Sequence, residues 1–253
     1  MRRFLIFCLA AAGVVAQQQL PQQRPANWPC TGARAVDPSY VEISEGTGGH
    51  LYLLDKPEVR QTGHLMAWHQ THRQTVFRSM GEMAKGTREF AFPIDSTIES
   101  LVLTVSLQCN DSISILDPAS LEAAGDRVDF RSGRALRVAH PVPGPWKIRL
   151  TGRGLFFVTV DAISNLSVRS AGLAAGSADL LAVEPSRLTE GMRVRFVDSG
   201  ANTLDTPAIE SSSGSYVFVR VNPRDTKFRV AVEGADDRGW PYLRMQGPLT
   251  VIK

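Results

Sequence analysis

Leu101-Val102-Leu103-Thr104-Val105-Ser106-Leu107-Gln108 alternates strongly apolar side chains with smaller or polar ones. A period of two places Leu101, Leu103, Val105 and Leu107 on one face of a strand and Val102, Thr104, Ser106 and Gln108 on the other. The first face is expected in a core and the second in solvent. Trp146, Ile148 and Leu150 alternate with Lys147, Arg149 and Thr151 in the same way, and Phe156, Val158 and Val160 continue the pattern. Further strands are expected over 89–93, 113–117 and 136–140. Asn110-Asp111, Asp117-Pro118, Ser132-Gly133, Pro143-Gly144-Pro145 and Gly152-Arg153-Gly154 supply turn chemistry between these runs. Short strands with frequent turns indicate a β-sandwich.

A second β unit follows. The small, Gly-rich run 171–177 reads as a boundary or hinge. Strands are expected over 180–184, 192–197, 216–221, 228–234 and 249–252. Val217, Val219 and Val221 should face Phe228, Val230 and Val232 across its core. A span near ninety residues suits an immunoglobulin-like or fibronectin-like sandwich. The fold class expected is mainly β: two consecutive β-sandwich domains with one N-terminal helix.

Before the first sandwich the pattern is mixed. Tyr40 to Ile43 and His50 to Leu54 read as short strands around the Gly-rich loop 45–49. Leu65, Trp68, His72, Val76 and Met80 recur every three or four residues and predict one amphipathic helix between Glu58 and Met83. Residues 17–29 are rich in Gln and Pro and read as a linker. Arg2 and Arg3 followed by the apolar run Phe4 to Val15 resemble a secretory signal, with cleavage expected before Gln17. The run is too short to span a bilayer, and no later segment is apolar enough to do so. The product is expected to be secreted or periplasmic.

The formal net charge is +3, and loss of Arg2 and Arg3 brings it to +1. That balance gives no reason to expect nucleic acid as a partner. Arg193, Arg195, Arg220 and Arg229 are interleaved with Glu190, Asp198, Asp225 and Glu233, which reads as a solvated surface. Loss of Cys8 with the signal leaves Cys30 and Cys109, an even pair that suggests one disulfide in an oxidising compartment.

Tyr40-Val41-Glu42-Ile43 with Gly48-Gly49-His50-Leu51-Tyr52-Leu53-Leu54-Asp55-Lys56 resembles the last strand and following helix of a von Willebrand factor A domain. In hemicentin-type extracellular proteins such a segment leads into a galactose-binding-like β-sandwich. Residues 90–97, 101–105 and 112–118 are similar to that sandwich, as are Pro143-Gly144-Pro145-Trp146-Lys147-Ile148 and Gly152-Arg153-Gly154. The family continues into immunoglobulin-like modules. The resemblance implies a strand–helix segment over 30–86, a galactose-binding-like sandwich over 87–165, an immunoglobulin-like or fibronectin-like one over 166–253, and an extracellular binding or connecting role. The Asp-x-Ser-x-Ser metal loop of the A domain is absent, so metal-dependent adhesion is not carried over.

Reactive constellations are few. His64, His69 and His72 form the one histidine cluster, but no carboxylate at helical spacing completes a metal site. There is no Gly-x-Ser-x-Gly elbow. Asp95, Asp111 and Asp117 lie at strand ends, where they would either cap turns or gather around calcium. Asp236 and Asp237 are adjacent and read as a solvated turn. Asn110-Asp111-Ser112 and Asn165-Leu166-Ser167 match the N-glycosylation pattern, which counts only in a host that glycosylates exported proteins.

Tyr216 and Phe218, with Arg220 beside them, lie opposite the inward valines. They form either a contact patch or a packed face beneath another element. The expected function is a non-enzymatic binding, adhesion or structural module without cofactor or metal. It would contact an extracellular protein or a surface polysaccharide through Tyr216, Phe218 and Arg220, or grip sugar near Asp111 and Asp117 as a carbohydrate-binding accessory. A hydrolase with its site between the domains is the remaining alternative.

Overall fold

The computed structural model describes residues 6–9, 36–68, 73–173, 180–189, 191–221 and 227–250. Three strands, β3 (Gln74–Ile94), β4 (Ile98–Leu116) and β7 (Gly144–Ser164), dominate it, each about twenty residues long. Register shifts interrupt the β3–β7 ladder between Met83 and Gly86, and the β4–β7 ladder near Cys109 and Asn110. Such bulges bend strands and let one strand serve both layers of a sandwich. The two halves of the bent strands then share one core. Phe77 in the first half of β3 stacks on Phe92 in the second at 5.5 Å, and Phe90 meets Phe156 of β7 at 5.4 Å.

The Asn110-Asp111 and Gly152-Arg153-Gly154 signals are therefore bends inside strands and not turns between them. Gly152 (φ 149°) and Gly154 (φ 94°) adopt backbone that other residues avoid. A Cβ on Gly152 would also overlap the Cys109 carbonyl oxygen. Strands β5 (Asp126–Phe130) and β6 (Gly133–Ala139) complete this half at its edge.

The helix expected across 58–83 is not formed. A 3-10 turn over Lys56–Gln61 leads into α2 (Thr62–Trp68), and Val76 and Met80 belong to β3. Tyr40 to Ile43 is not a strand but part of α1 (Pro38–Thr47). The local chemistry favours the helix: the Asp37 carboxylate accepts from Ser39 N at 2.9 Å, Pro38 opens the first turn, and Gly48 (φ 69°) closes the last. β2 (His50–Leu53) follows, so the strand-then-helix order implied over 40–56 is inverted.

This N-terminal segment lies on the outer face of the first sheet layer. Tyr40, Leu51 and Leu53 pack on Met80 and Phe157, while Tyr52, Leu54, Leu65 and Trp68 pack on Val102, Phe130 and Ala135. Val102, Thr104 and Ser106, expected in solvent, are consequently buried. β4 is covered on both faces over this stretch, and the face that carries Val102 and the small hydroxyls Thr104 and Ser106 is the one beneath the N-terminal segment. Ile6–Leu9, inside the run expected to be a secretory signal, is β1 and pairs antiparallel with β2 in the full chain; cleavage before Gln17 would remove this strand.

Among the described residues a nine-stranded antiparallel sheet runs β11-β10-β14-β15-β3-β7-β4-β6-β5. Its C-terminal part comprises β10 (Arg193–Val197), β11 (Thr203–Asp205), β14 (Lys227–Ala235) and β15 (Pro241–Thr250). A four-stranded sheet covers it, ordered β12-β13-β9-β8, from β8 (Val168–Leu173), β9 (Leu180–Pro185), β12 (Ile209–Ser213) and β13 (Tyr216–Arg220). Val217, Val219 and Val221 meet Phe228, Val230 and Val232 across this second core. Each buried Val or Phe of this kind contributes about 1.5–3 kcal/mol. The chain is mainly β, with a core in each half and one sheet running through both.

Candidate functional site

The sheet join is thin, with Met245 and Thr75 as its paired residues. Polar side chains reinforce it. Arg244 of β15 and Asp95, after β3, are both 0% exposed, with Arg244 Nη1 donating to Asp95 Oδ2 at 2.7 Å. The guanidinium also donates to the Leu166 carbonyl at 3.0 Å, to Ser164 Oγ at 2.8 Å and to the Leu243 carbonyl at 2.9 Å. The Asp95 carboxylate takes the Thr97 amide and hydroxyl as well. A buried pair is tolerated only when its remaining lone pairs and protons are satisfied in this way.

Asp236 is a second tie. Its carboxylate accepts from Ser96 N at 2.8 Å, Ser96 Oγ at 2.6 Å, and the Arg238 and Trp240 amides at 2.9 Å. Burial alone would raise its pKa, but these hydrogen bonds outweigh it and hold the carboxyl below its ordinary value. The solvated turn expected at Asp236 and Asp237 is thus half right: Asp237 is exposed and pairs with Arg187, whereas Asp236 faces inward.

Beneath the N-terminal segment, Arg78 donates to the carbonyls of Ser44, Gly48 and Gly49. His50 Nε2 contacts Asp161 Oδ2 at 2.9 Å, and Thr75 Oγ1 donates to Asp161 Oδ1 at 2.9 Å. Burial pushes the neighbouring Tyr52 phenol well above its usual pKa. An imidazole–carboxylate pair is a component of acid–base machinery. Here it is sealed, with the side chains 13% and 6% exposed, and its polar contacts hold β2 on the sheet.

A shallow cleft of about 340 Å3 opens between α1 and the two halves. Met80, Phe157 and Phe228 line it together with the ion pair Glu45–Arg229. Arg229 was expected on a solvated surface. It is 2% exposed because α1 brings Glu45 over it, a contact between positions 184 residues apart. No local spacing could signal that pair. Arg195, in the same expected surface, pairs with Glu233 across β10 and β14.

The residues singled out from sequence do not gather at one place. Asp117 caps its own loop, accepting from Leu121 N at 3.0 Å, and Asp111 projects from the β4 bulge. With Asp95 bound to Arg244, the three carboxylates form no common site. Among the described residues no group of three His, Cys, Asp or Glu is placed to hold a metal. His64 is exposed and packs edge-on against Trp68 at 4.9 Å, while His69 and His72 lie outside the described residues. Cys109 is buried in β4, and Cys30 lies outside the described residues, as does the expected bridge.

Tyr216, Phe218 and Arg220 do share a surface. All three are on the outer face of β13, the aromatic rings half-buried with centroids 6.5 Å apart and Arg220 exposed. Arg220 Nε donates to Glu210 Oε1 at 3.3 Å. Ser211 and Ser213 of the exposed strand β12 flank the rings on one side, and Ala182 of β9 on the other.

These features define a mainly β protein whose buried polar groups join its layers and which carries an aromatic pair, Tyr216 and Phe218, on an outer sheet face. No protein-family model matches the chain, and no curated protein does. Among solved structures it is similar to the Bacillus licheniformis lipase BlEst2 in propeptide form, at 14% identity and a TM-score of 0.37. That match covers 68% of this chain and 40% of the lipase chain. No helix among the described residues is long and apolar enough to cross a membrane.

Proposed function

We propose that the protein is an exported, non-enzymatic binding module that contacts an extracellular protein or a surface polysaccharide through the outer face of the four-stranded sheet. The observation that supports this best is the Tyr216–Phe218 pair, left half-open on a regular sheet with Arg220 at its end. Aromatic and arginine side chains of this kind dominate contact energies because they bring large area at small entropic cost. The buried ion pairs favour a load-bearing or connecting role, since each joins two elements. Export and a Cys30–Cys109 bridge belong to the same proposal. The resemblance to hemicentin-type proteins is in keeping with it.

The test is binding of the full secreted chain to a surface fraction of its own host and to a glycan array. Saturable retention with no change in the retained material supports the proposal. Release of a hydrolysis product, or no retention on either, overturns it. Mass measurement with and without reductant reads the bridge, and N-terminal sequencing of the secreted chain reads cleavage before Gln17.

A further inference from the structure

Two Asn-x-Ser triplets occur in the chain, and the fold treats them differently. Asn165 sits in the short connector from β7 to β8. Its neighbours on both sides are held inward: Ser164 Oγ and the Leu166 carbonyl both accept from the buried Arg244, and the Leu166 side chain is in the second core. With Ser164 and Leu166 fixed, the residue between them turns outward, and Asn165 is exposed. Ser167, two residues on, is tied through its backbone to Ser186 at 2.7 and 3.0 Å.

Asn110 is in the opposite situation. It lies within β4 at the bend, half-buried, next to buried Cys109. Its Nδ2 donates to the Arg131 carbonyl at 3.4 Å, and its Oδ1 is inaccessible. A sugar on that nitrogen would disturb its hydrogen bond to the loop carrying Arg131.

We propose that the fold leaves Asn165 open as an acceptor of an N-linked glycan in a glycosylating secretory pathway and disfavours Asn110; use of the site in the native protein rests on the export proposed above. In the step, Asn165 Nδ2 forms a bond to the anomeric carbon of an oligosaccharide carried on a polyprenyl pyrophosphate. The bond from that carbon to the pyrophosphate oxygen breaks, its electron pair leaves with the phosphate, and the amide proton is released to solvent. No oxidant or reductant is needed. Transfer takes place on a chain that is still folding, so the fold acts as a filter. A chain modified at Asn165 keeps its connector contacts, because Asn165 is exposed, whereas one modified at Asn110 loses the tie from the bend to Arg131. Bulky surface glycans of this kind belong on connectors.

The experiment expresses the full chain in a eukaryotic secretory host, once with its own N-terminus and once behind a heterologous leader. The mass of the folded, secreted product is compared before and after glycan release. One glycan is expected. It disappears in Asn165→Gln and in Ser167→Ala, and persists in Asn110→Gln. A glycan at Asn110 in folded protein overturns the inference, as does a secreted product with none at Asn165. If only the heterologous leader yields secreted protein and that product carries the Asn165 glycan, the export reading fails and this one stands.

Discussion

Replacing Asp95 by asparagine should destabilise the whole molecule far more than its size change suggests. Asparagine keeps the shape of the side chain and an oxygen for the Thr97 amide. It removes the charge opposite Arg244, whose guanidinium is 0% exposed. The acceptors left to that cation are the Leu166 and Leu243 carbonyls, Ser164 Oγ and, at 3.4 Å, Thr97 Oγ1, all neutral. Breaking a buried pair from one side costs about 3–5 kcal/mol, because the other charge stays desolvated. Against a total stability of about 5–15 kcal/mol that is a large fraction. Arg244→Met strands the carboxylate and should cost a similar amount. The double variant removes both charges and should cost clearly less than the two added together, giving a coupling of about 2 kcal/mol or more. The assay is urea unfolding in a Trp240→Phe background, followed by tryptophan fluorescence, to which the buried Trp68 and Trp146 contribute from the first half, and by circular dichroism, which reads both sheets. Asp95 belongs to the first half and Arg244 to the second, so Asp95→Asn should also separate the two signals. Single costs below about 1 kcal/mol, or costs that add within about 0.5 kcal/mol, would refute the reasoning.

Three other outcomes follow from particular residues. The Asp236 carboxyl is depressed when folded, so its contribution is present above its unfolded pKa of about 3.9 and is lost as the pH falls through the folded value. Thermal melts across the acid range should show a shallower acid limb in Asp236→Asn than in wild type, and equal slopes would contradict this. Gly152→Ala should lose about 1–3 kcal/mol through its clash with Cys109, whereas Gly46→Ala in α1, where a Cβ meets nothing within 4 Å, should be neutral or gain up to about 1 kcal/mol; denaturant midpoints distinguish the two. Glu45→Gln leaves Arg229 buried without its counter-charge and should lower the melting temperature, and an unchanged midpoint would show that the pair does not anchor α1.

The β class was legible because periods of two survive in Leu101–Leu107, Trp146–Leu150 and Val217–Val221. The inward set at each of these was read correctly from alternation alone. The outward set on β4 was not, because burial of Val102, Thr104 and Ser106 depends on a segment fifty residues earlier folding back over them. Turn residues at Asn110 and Gly152 marked real irregularities, but local chemistry does not distinguish a reversal from a bulge that bends a strand. α1 carried clear capping signals in Asp37, Pro38 and Gly48, which the alternation of Tyr40 to Ile43 obscured. β11 and β12 are exposed and lack an apolar stripe, so no periodicity announced them. The outer face of β13 was identified as Tyr216, Phe218 and Arg220. The buried ion pairs were missed because each joins residues more than a hundred positions apart; Arg229 was read as solvated and Asp95 as a turn cap or calcium ligand.

The measurement that bears most directly on the central claim is a binding titration of the full chain against its own host's surface fraction, comparing wild type with Tyr216→Ala/Phe218→Ala. If the outer face of β13 is the contact surface, the double variant should lose at least about 2 kcal/mol of binding, roughly thirtyfold in Kd, while its melting temperature stays near that of wild type. Undiminished binding by a folded double variant would contradict the account.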